Sequence, residues 1–391
     1  MTSSTQTPVL IVGGGIGGLT AALCLRARGH EVTVLERAEA LREVGAGLQI
    51  SPNGLRVLDA LGLGDRLRAV GLRGQAVVLR DFRAGAQVLR LDLSGQPEAS
   101  AYHFLHRADL IDLLAEAARA RGVSLRLGQA VAEVIPGTPA RMTLRGGEAL
   151  DARLILGADG VKSTVRPVLN GARDPDFTGQ VAWRAVVPNA VDHPPEAWVH
   201  MGPGRHLVSY PLRGGRSVNL VAVEERSAWA AEGWNHVDDP ANLRAAFGRF
   251  GGAARALIEA VEAPGLWGLF RHPVAPRWHG PGVAILGDAA HPTLPFLAQG
   301  ANLALEDAWA LAAAYDPDAA DQGLARYQSW RRDRAAKVIA AANGNAWKYH
   351  LRNPVIRRAA HLGLRVADGL APGRMLAQFD WLYGYDVTRL G

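Results

Sequence analysis

Gly13-Gly14-Gly15-Ile16-Gly17-Gly18 fills the spacing G-x-G-x-x-G between an apolar run, 9–12, and a stretch of helical periodicity, 16–28. In that context the motif is specific for a dinucleotide, whereas the same letters elsewhere would be weak. Glycine at 13 permits a tight turn. Glycine at 15 lets the backbone approach a pyrophosphate, and glycine at 18 lets helix and strand pack closely. The helix start offers N–H donors and positive dipole to the phosphates. Glu36 closes the next β-branched run, 32–35, where a carboxylate can accept hydrogen bonds from ribose hydroxyls.

This motif does not separate FAD from NAD; a second one does. Gly287-Asp288-Ala289-Ala290-His291-Pro292 follows the apolar run 283–286 and precedes a helical stretch, 300–315. An aspartate at a strand end can bind the ribityl chain of a flavin already held by the first motif. The helix that begins near Gly300 would aim its N-terminus at the flavin ring edge that is anionic when reduced, worth up to about 2 kcal/mol when partly buried.

Positioning both motifs on one ligand requires an α/β body. The order strand–turn–helix–strand at the start is a complete βαβ unit, with Gly29 as a helix stop. A helix over 108–121, strands over 124–127 and 130–134, and an apolar strand over 154–156 running into Gly157-Ala158-Asp159-Gly160 continue it. Between about 177 and 270 strands alternate with turn pairs such as Gly214-Gly215, as in an antiparallel sheet. Residues 73–93 are expected to add strands to it. From 323 onward the pattern is helical. The fold class is therefore α/β: a Rossmann-like FAD-binding domain (1–72, 100–176 and 272–322), an inserted antiparallel-sheet substrate domain (73–99 and 177–271), and a C-terminal helical segment (323–391).

Length and composition agree: 391 residues exceed what one core organises, and 48% hydrophobic with 20% charged residues is ordinary for a compact soluble protein. The net charge of +6 is carried almost entirely by arginine, since only Lys162, Lys337 and Lys348 are lysines. With no basic run interleaved with aromatics, nucleic acid is not an expected partner. The single cysteine, Cys24, allows no internal disulfide and reads as a core residue of a cytoplasmic protein. The uncharged stretch 8–25 lacks a basic leader and is broken by glycines, so neither a signal peptide nor a membrane span is expected. No metal is called for.

On the two glycine–acid motifs and Asp159-Gly160, the chain resembles the aromatic-ring hydroxylase family of FAD monooxygenases, which includes p-hydroxybenzoate hydroxylase. Gly45-Ala46-Gly47-Leu48-Gln49, Leu294-Pro295-Phe296-Leu297-Ala298-Gln299-Gly300-Ala301-Asn302 and Asp380-Trp381-Leu382-Tyr383-Gly384-Tyr385-Asp386 resemble its salicylate and 3-hydroxybenzoate hydroxylase branch. The resemblance implies FAD as cofactor, NADH or NADPH as co-substrate, and hydroxylation of a small phenolic or N-heteroaromatic ring with O2 through a flavin C4a-hydroperoxide. It places Arg107 by the phosphate or ribityl region, Arg37 by the adenosine, Val131 at the adenine and Asp159 near both nucleotides. Ile16, Gly47, Pro295, Gly300 and Ala301 complete the cofactor set.

Candidates for the substrate side are Gln299, on the flavin-side loop, and His206 and Tyr210. The latter two are four apart on an expected strand and share a face, while Ser209 points the other way. Hydroxybenzoate-type members often carry His where Ser209 stands, so either His206 takes its place or the substrate needs no imidazole. His272 and His291 read as loop packing. A reductase or oxidase on the same fold is the alternative activity; no redox-active cysteine pair or second glycine fingerprint supports it. The aromatic C-terminal segment is expected either to cap the FAD domain or to form a homodimer interface.

Overall fold

The computed structural model of the chain describes residues 8–41, 47–226, 236–370 and 372–390. Gly45 and Ala46 lie outside the described residues.

Four short apolar runs, Val9–Val12, Val32–Leu35, Leu154–Gly157 and Val283–Ile285, are almost wholly buried and pair in parallel, with Ser124–Arg126 beside Val32–Leu35. Burial on both faces is what a continuous rather than alternating hydrophobic run demands. His279–Gly280 adds an antiparallel edge. Val9–Val12 lies between Val32–Leu35 and Leu154–Gly157, and Val283–Ile285 follows outside the latter. Because these neighbours run the same way, the Gly13 turn, Ala158-Asp159-Gly160 and Gly287-Asp288 all leave the sheet at one edge, where open α/β sheets take ligands. Helices Ile16–Arg26 and Gly300–Ala314 pack against each other there.

The second sheet has seven strands: Gly265–Arg271, Asp176–Pro188, Ser217–Glu225, Arg205–Leu212, Glu196–Gly202, Ala76–Asp81 and Gln87–Asp92. It departs from the expected antiparallel sheet at one junction, where Glu196–Gly202 pairs in parallel with Ala76–Asp81. The two strands come from segments separated by a long excursion through the other sheet, so no tight hairpin constrains their direction. Leu72–Gly74 does not join this sheet. It pairs instead with Tyr102–His106, beside Gly47–Ile50. Trp183, Leu207, Leu220, Phe247 and Phe250 fill the core under one face.

Helices Ala320–Tyr349 and Pro354–Leu370 dominate the C-terminal segment. Arg56 and Arg334 donate to the carbonyls of Trp381, Leu382, Tyr383 and Tyr385, which holds that aromatic stretch against the body. Among the described residues no helix is long and apolar enough to cross a membrane.

Three buried histidines make stability depend on pH. Desolvation is the largest influence on each and lowers its pKa, to about 4 at His193, to about 3 at His200 and well below the ordinary value at His206. In the unfolded chain each takes a proton near 6.5. As pH falls below that value the unfolded state gains protons the folded state refuses, at ~1.4 kcal/mol per pH unit for each histidine. The melting temperature is expected to fall steadily between about pH 6.5 and pH 4. A flat profile over that range would show the rings already protonated in the fold.

Candidate active site

A cavity of about 260 Å3 separates the ligand edge of the parallel sheet from one face of the seven-stranded sheet. Gly15, Ile16, Arg107, Asp288, Gly300 and Ala301 form its first wall. Gly13 stands at φ +107°, and a Cβ there would lie 2.4 Å from the Ala158 carbonyl oxygen; one on Gly18 would lie 2.0 Å from that of Gly13. Gly15 differs: a Cβ there would meet nothing within 4 Å, and no side chain caps the helix it precedes. Two glycines are thus consumed by close packing, and the third leaves open space before a helix start whose first N–H groups have no intrahelical acceptor.

Glu36 accepts the N–H of Gly14 at 2.7 Å and that of Ala38 at 2.9 Å, which ties the second strand to the turn. Asp159 accepts from Ser163 Oγ at 2.5 Å and from Thr164 N at 2.6 Å, stabilising its own loop. Gly13, Gly18, Glu36, Arg37, Val131 and Asp159 do not line the cavity; Arg37 is exposed and Val131 is buried at the start of Val131–Ile135. Arg107 opens helix Arg107–Ala120, whose preceding residue His106 accepts the Ala108 N–H.

Asp288 sits in the turn Gly287–Ala289, exposed into the cleft, and desolvation by the surrounding wall raises its carboxyl above the ordinary range. Beneath this turn lies a buried polar network. Asp307 accepts from Gly287 N at 3.0 Å, from His291 Nε2 at 2.5 Å and from Arg331 Nε at 2.8 Å. Burial alone would raise the Asp307 carboxyl, but His291 and Arg331 outweigh it and hold the pKa at about 2. His291 is therefore part of the scaffold of the turn.

Gln299 precedes helix Gly300–Ala314 and borders the cavity, yet its amide is engaged behind the wall. Its Nε2 donates to Ser51 Oγ at 3.0 Å, Ser51 Oγ donates to Asn53 Oδ1 at 2.6 Å, and Asn53 Nδ2 donates back to Gln299 Oε1 at 3.1 Å. This closed ring extends to Glu306, which accepts from Asn53 at 2.6 Å. Ala298 adopts φ +51°, a left-handed conformation costly for a side chain with a Cβ. Asn302 Nδ2 holds its carbonyl at 3.0 Å.

The opposite wall is the face of strand Arg205–Leu212 that carries His206, Val208 and Tyr210, with Val221, Val223 and Arg184 from neighbouring strands. Ser209 points to the other face, within 2.9 Å of His193 Nε2. Burial pushes the Tyr210 hydroxyl up to about 12 and keeps His206 neutral. Gly47 joins the two walls: its N–H donates to Asn219 Oδ1 at 2.8 Å, and a Cβ would sit 2.8 Å from the Tyr210 ring.

Sequence reasoning passes over Arg184, Ser51, Asn53, Glu306, Asp307 and Arg331. A signal existed for two of them, since Glu306-Asp307 interrupts a helix otherwise rich in Ala and Leu. The Gly15 opening, a turn-borne carboxylate in the cleft and the helix start at Gly300 together fit a flavin dinucleotide lying along the first wall.

The family described as an FAD binding domain matches residues 6–342. The chain is 39% identical over 354 residues to 3-amino-4-hydroxybenzoate 2-monooxygenase of Streptomyces cremeus, covering 88% of each chain. It is 34% identical to 3-hydroxybenzoate 6-hydroxylase 1 of Aquipseudomonas alcaligenes, covering 97% of this chain and 98% of that one. Its fold is similar to that of Klebsiella pneumoniae HpxO, a structure holding FAD and uric acid, with TM-score 0.85, 24% identity and 98% of both chains covered.

Proposed function

The chain belongs to the FAD binding domain family, on the branch of the salicylate and 3-hydroxybenzoate hydroxylases, and from that premise we propose that it is a single-component FAD monooxygenase that hydroxylates a small phenolic ring using NAD(P)H and O2. The observation that carries this reading is the cavity itself, with Gly15, Arg107, Asp288 and the helix start at Gly300 on one side and His206, Tyr210 and Arg184 on the other.

When bound, FAD would supply the redox chemistry that a hydroxylation with NAD(P)H and O2 requires. The chain's own groups bind and tune. Gly15 and the start of helix Ile16–Arg26 take the pyrophosphate, Glu36 the ribose, Asp288 and Arg107 the ribityl and phosphate region, and Gly300 and Ala301 the anionic ring edge. Val208, Val221, Val223, Leu294 and Pro295 keep the reacting space apolar and dry, which suppresses loss of oxygen as peroxide. His206 Nε2 accepts the hydrogen of the substrate hydroxyl, making the ring electron-rich as phenolate. Arg184 suits an anionic substituent such as the carboxylate of a hydroxybenzoate. Gln299 acts through its ring with Ser51 and Asn53 by fixing the loop at the helix start. We place the enzyme in the cytoplasm.

The test is stoichiometry on the purified yellow protein. A hydroxybenzoate panel is expected to contain members that accelerate flavin bleaching by NADH or NADPH and yield about one hydroxylated product per nicotinamide oxidised. Oxidation with peroxide as the sole product would identify a reductase or oxidase instead.

A further inference from the structure

His206 is 1% exposed and borders the cavity, and its Nδ1 lies 2.6 Å from Nε2 of His350, at the end of helix Ala320–Tyr349. His350, 3% exposed, places its Nδ1 2.8 Å from Oε1 of Glu225, the last residue of strand Ser217–Glu225. Glu225 Oε2 in turn accepts from Arg352 Nη2 at 2.6 Å, and the Arg352 side chain is 69% exposed. One unbroken line of hydrogen bonds thus joins the cavity to solvent, through two consecutive strands and the end of a helix more than a hundred residues later.

The line has a fixed direction. A carboxylate only accepts, so His350 Nδ1 carries hydrogen and its Nε2 has a lone pair. That lone pair requires hydrogen on His206 Nδ1, which leaves His206 Nε2 as an acceptor on the cavity side. We infer that Glu225 and His350 are positioning residues that set the tautomer of His206 and carry the substrate's hydroxyl proton to the surface beside Arg352; the inference rests on the function proposed above.

When the substrate O–H breaks, its proton goes to His206 Nε2. The Nδ1 hydrogen of His206 moves to His350 Nε2, and the Nδ1 hydrogen of His350 moves to Glu225 and then to water. The same line run backwards returns a proton to that oxygen in the product, so no proton is gained or lost over the cycle. The surrounding groups favour this resting arrangement. Tyr349 and Phe296 pack their rings on His206. Arg352 and Arg205 are the cations acting on His350, and Arg205 is itself paired with Glu224 at 3.1 Å. Desolvation would raise the Glu225 carboxyl, but its bonds to Arg352 and His350 hold it below the usual range.

The experiment uses the holoenzyme with the hydroxybenzoate that best stimulates NAD(P)H oxidation, comparing wild type, Glu225→Gln, His350→Gln and Arg352→Gln over about pH 5.5–10.5, which brackets a free imidazole at ~6.5 and a free phenol at ~10. Glu225→Gln and His350→Gln are expected to retain FAD, to lose kcat by about 10-fold or more near pH 7 with little change in KM, and to recover as the phenol ionises unaided at high pH. Arg352→Gln, an exposed change that leaves the fold intact, is expected to move the acid limb of the profile to higher pH, because Glu225 then protonates more readily. Profiles superimposable on wild type, or an equal loss at every pH, would reduce the chain of bonds to a tether for the C-terminal helix. If the glutamine variants at 225 and 350 lose flavin, Arg352→Gln alone decides, and an unmoved acid limb overturns the relay. If no hydroxybenzoate stimulates the wild type, the proposed function fails first, and the relay falls with it.

Discussion

Asp288→Ala is expected to purify nearly colourless, with most molecules lacking FAD, while the same chain without substitution is fully yellow. The turn Gly287–Ala289 that bears Asp288 is held rigidly from below, by the Gly287 N–H on Asp307 and by the Gly287 backbone at φ +58°, so little reorganisation precedes ligand binding there. The carboxyl itself is turned into the cleft and partly stripped of water, which has already raised its pKa. Hydrogen bonds from ligand hydroxyls would restore what desolvation removes. A charged hydrogen bond of this kind is worth ~1.5–3 kcal/mol, or roughly 10- to 150-fold in FAD affinity. The check is the ratio of the visible flavin absorbance to that of the protein, before and after dialysis against excess FAD. Asp288→Asn is expected to fall between the two, because it keeps one acceptor but loses the charge. A stably yellow alanine variant would detach Asp288 from the cofactor.

Local order explains which of these features a sequence discloses. The Gly13–Gly18 spacing, the β-branched runs and the strand–turn–helix around Gly287 are each contained within a dozen or so residues, and their buried pattern follows from period and glycine placement alone. The common face of His206 and Tyr210 is likewise a matter of strand period. What stays hidden is pairing between distant residues. Asn53 meets Gln299 and Glu306, Ser51 meets Asn302, and His206 meets His350, all across more than a hundred intervening positions. No periodicity records such partners. The parallel junction of Ala76–Asp81 with Glu196–Gly202 is hidden for the same reason, since strand direction across a long connection is set by the fold and not by either strand.

The second large effect is expected at Arg331, which touches neither wall of the cavity. It is fully buried between two carboxylates that are themselves fully buried. Its Nε is aligned on Asp307 Oδ1 at 2.8 Å, whereas its Nη1 lies 2.5 Å from Glu306 Oε2 as an ion pair without hydrogen-bond alignment. Arg334 supports Glu306 from the other side at 2.7 Å, and His291 supports Asp307. Arg331→Met therefore leaves a methylene stem in place but withdraws the central charge, and removing one member of a buried ion cluster costs ~3–5 kcal/mol. A fall in melting temperature of roughly 4–6 °C at pH 7 is expected. The acid side should change as well. Asp307, with its pKa held near 2 in the fold, contributes stability that is present above the unfolded carboxylate value of about 3.9 and is lost as pH falls toward 2. Without Arg331 the Asp307 carboxyl rises toward its unfolded value, so this contribution is expected to shrink and its loss to be complete at a higher pH. The same cluster anchors the Gly287 turn through Asp307 and the Gln299 ring through Glu306, so FAD retention should weaken together with stability. Adding Glu306→Gln to Arg331→Met separates charge from packing. If stranded charge is the cause, the double variant is more stable than the single one; if lost packing is the cause, the second change deepens the defect.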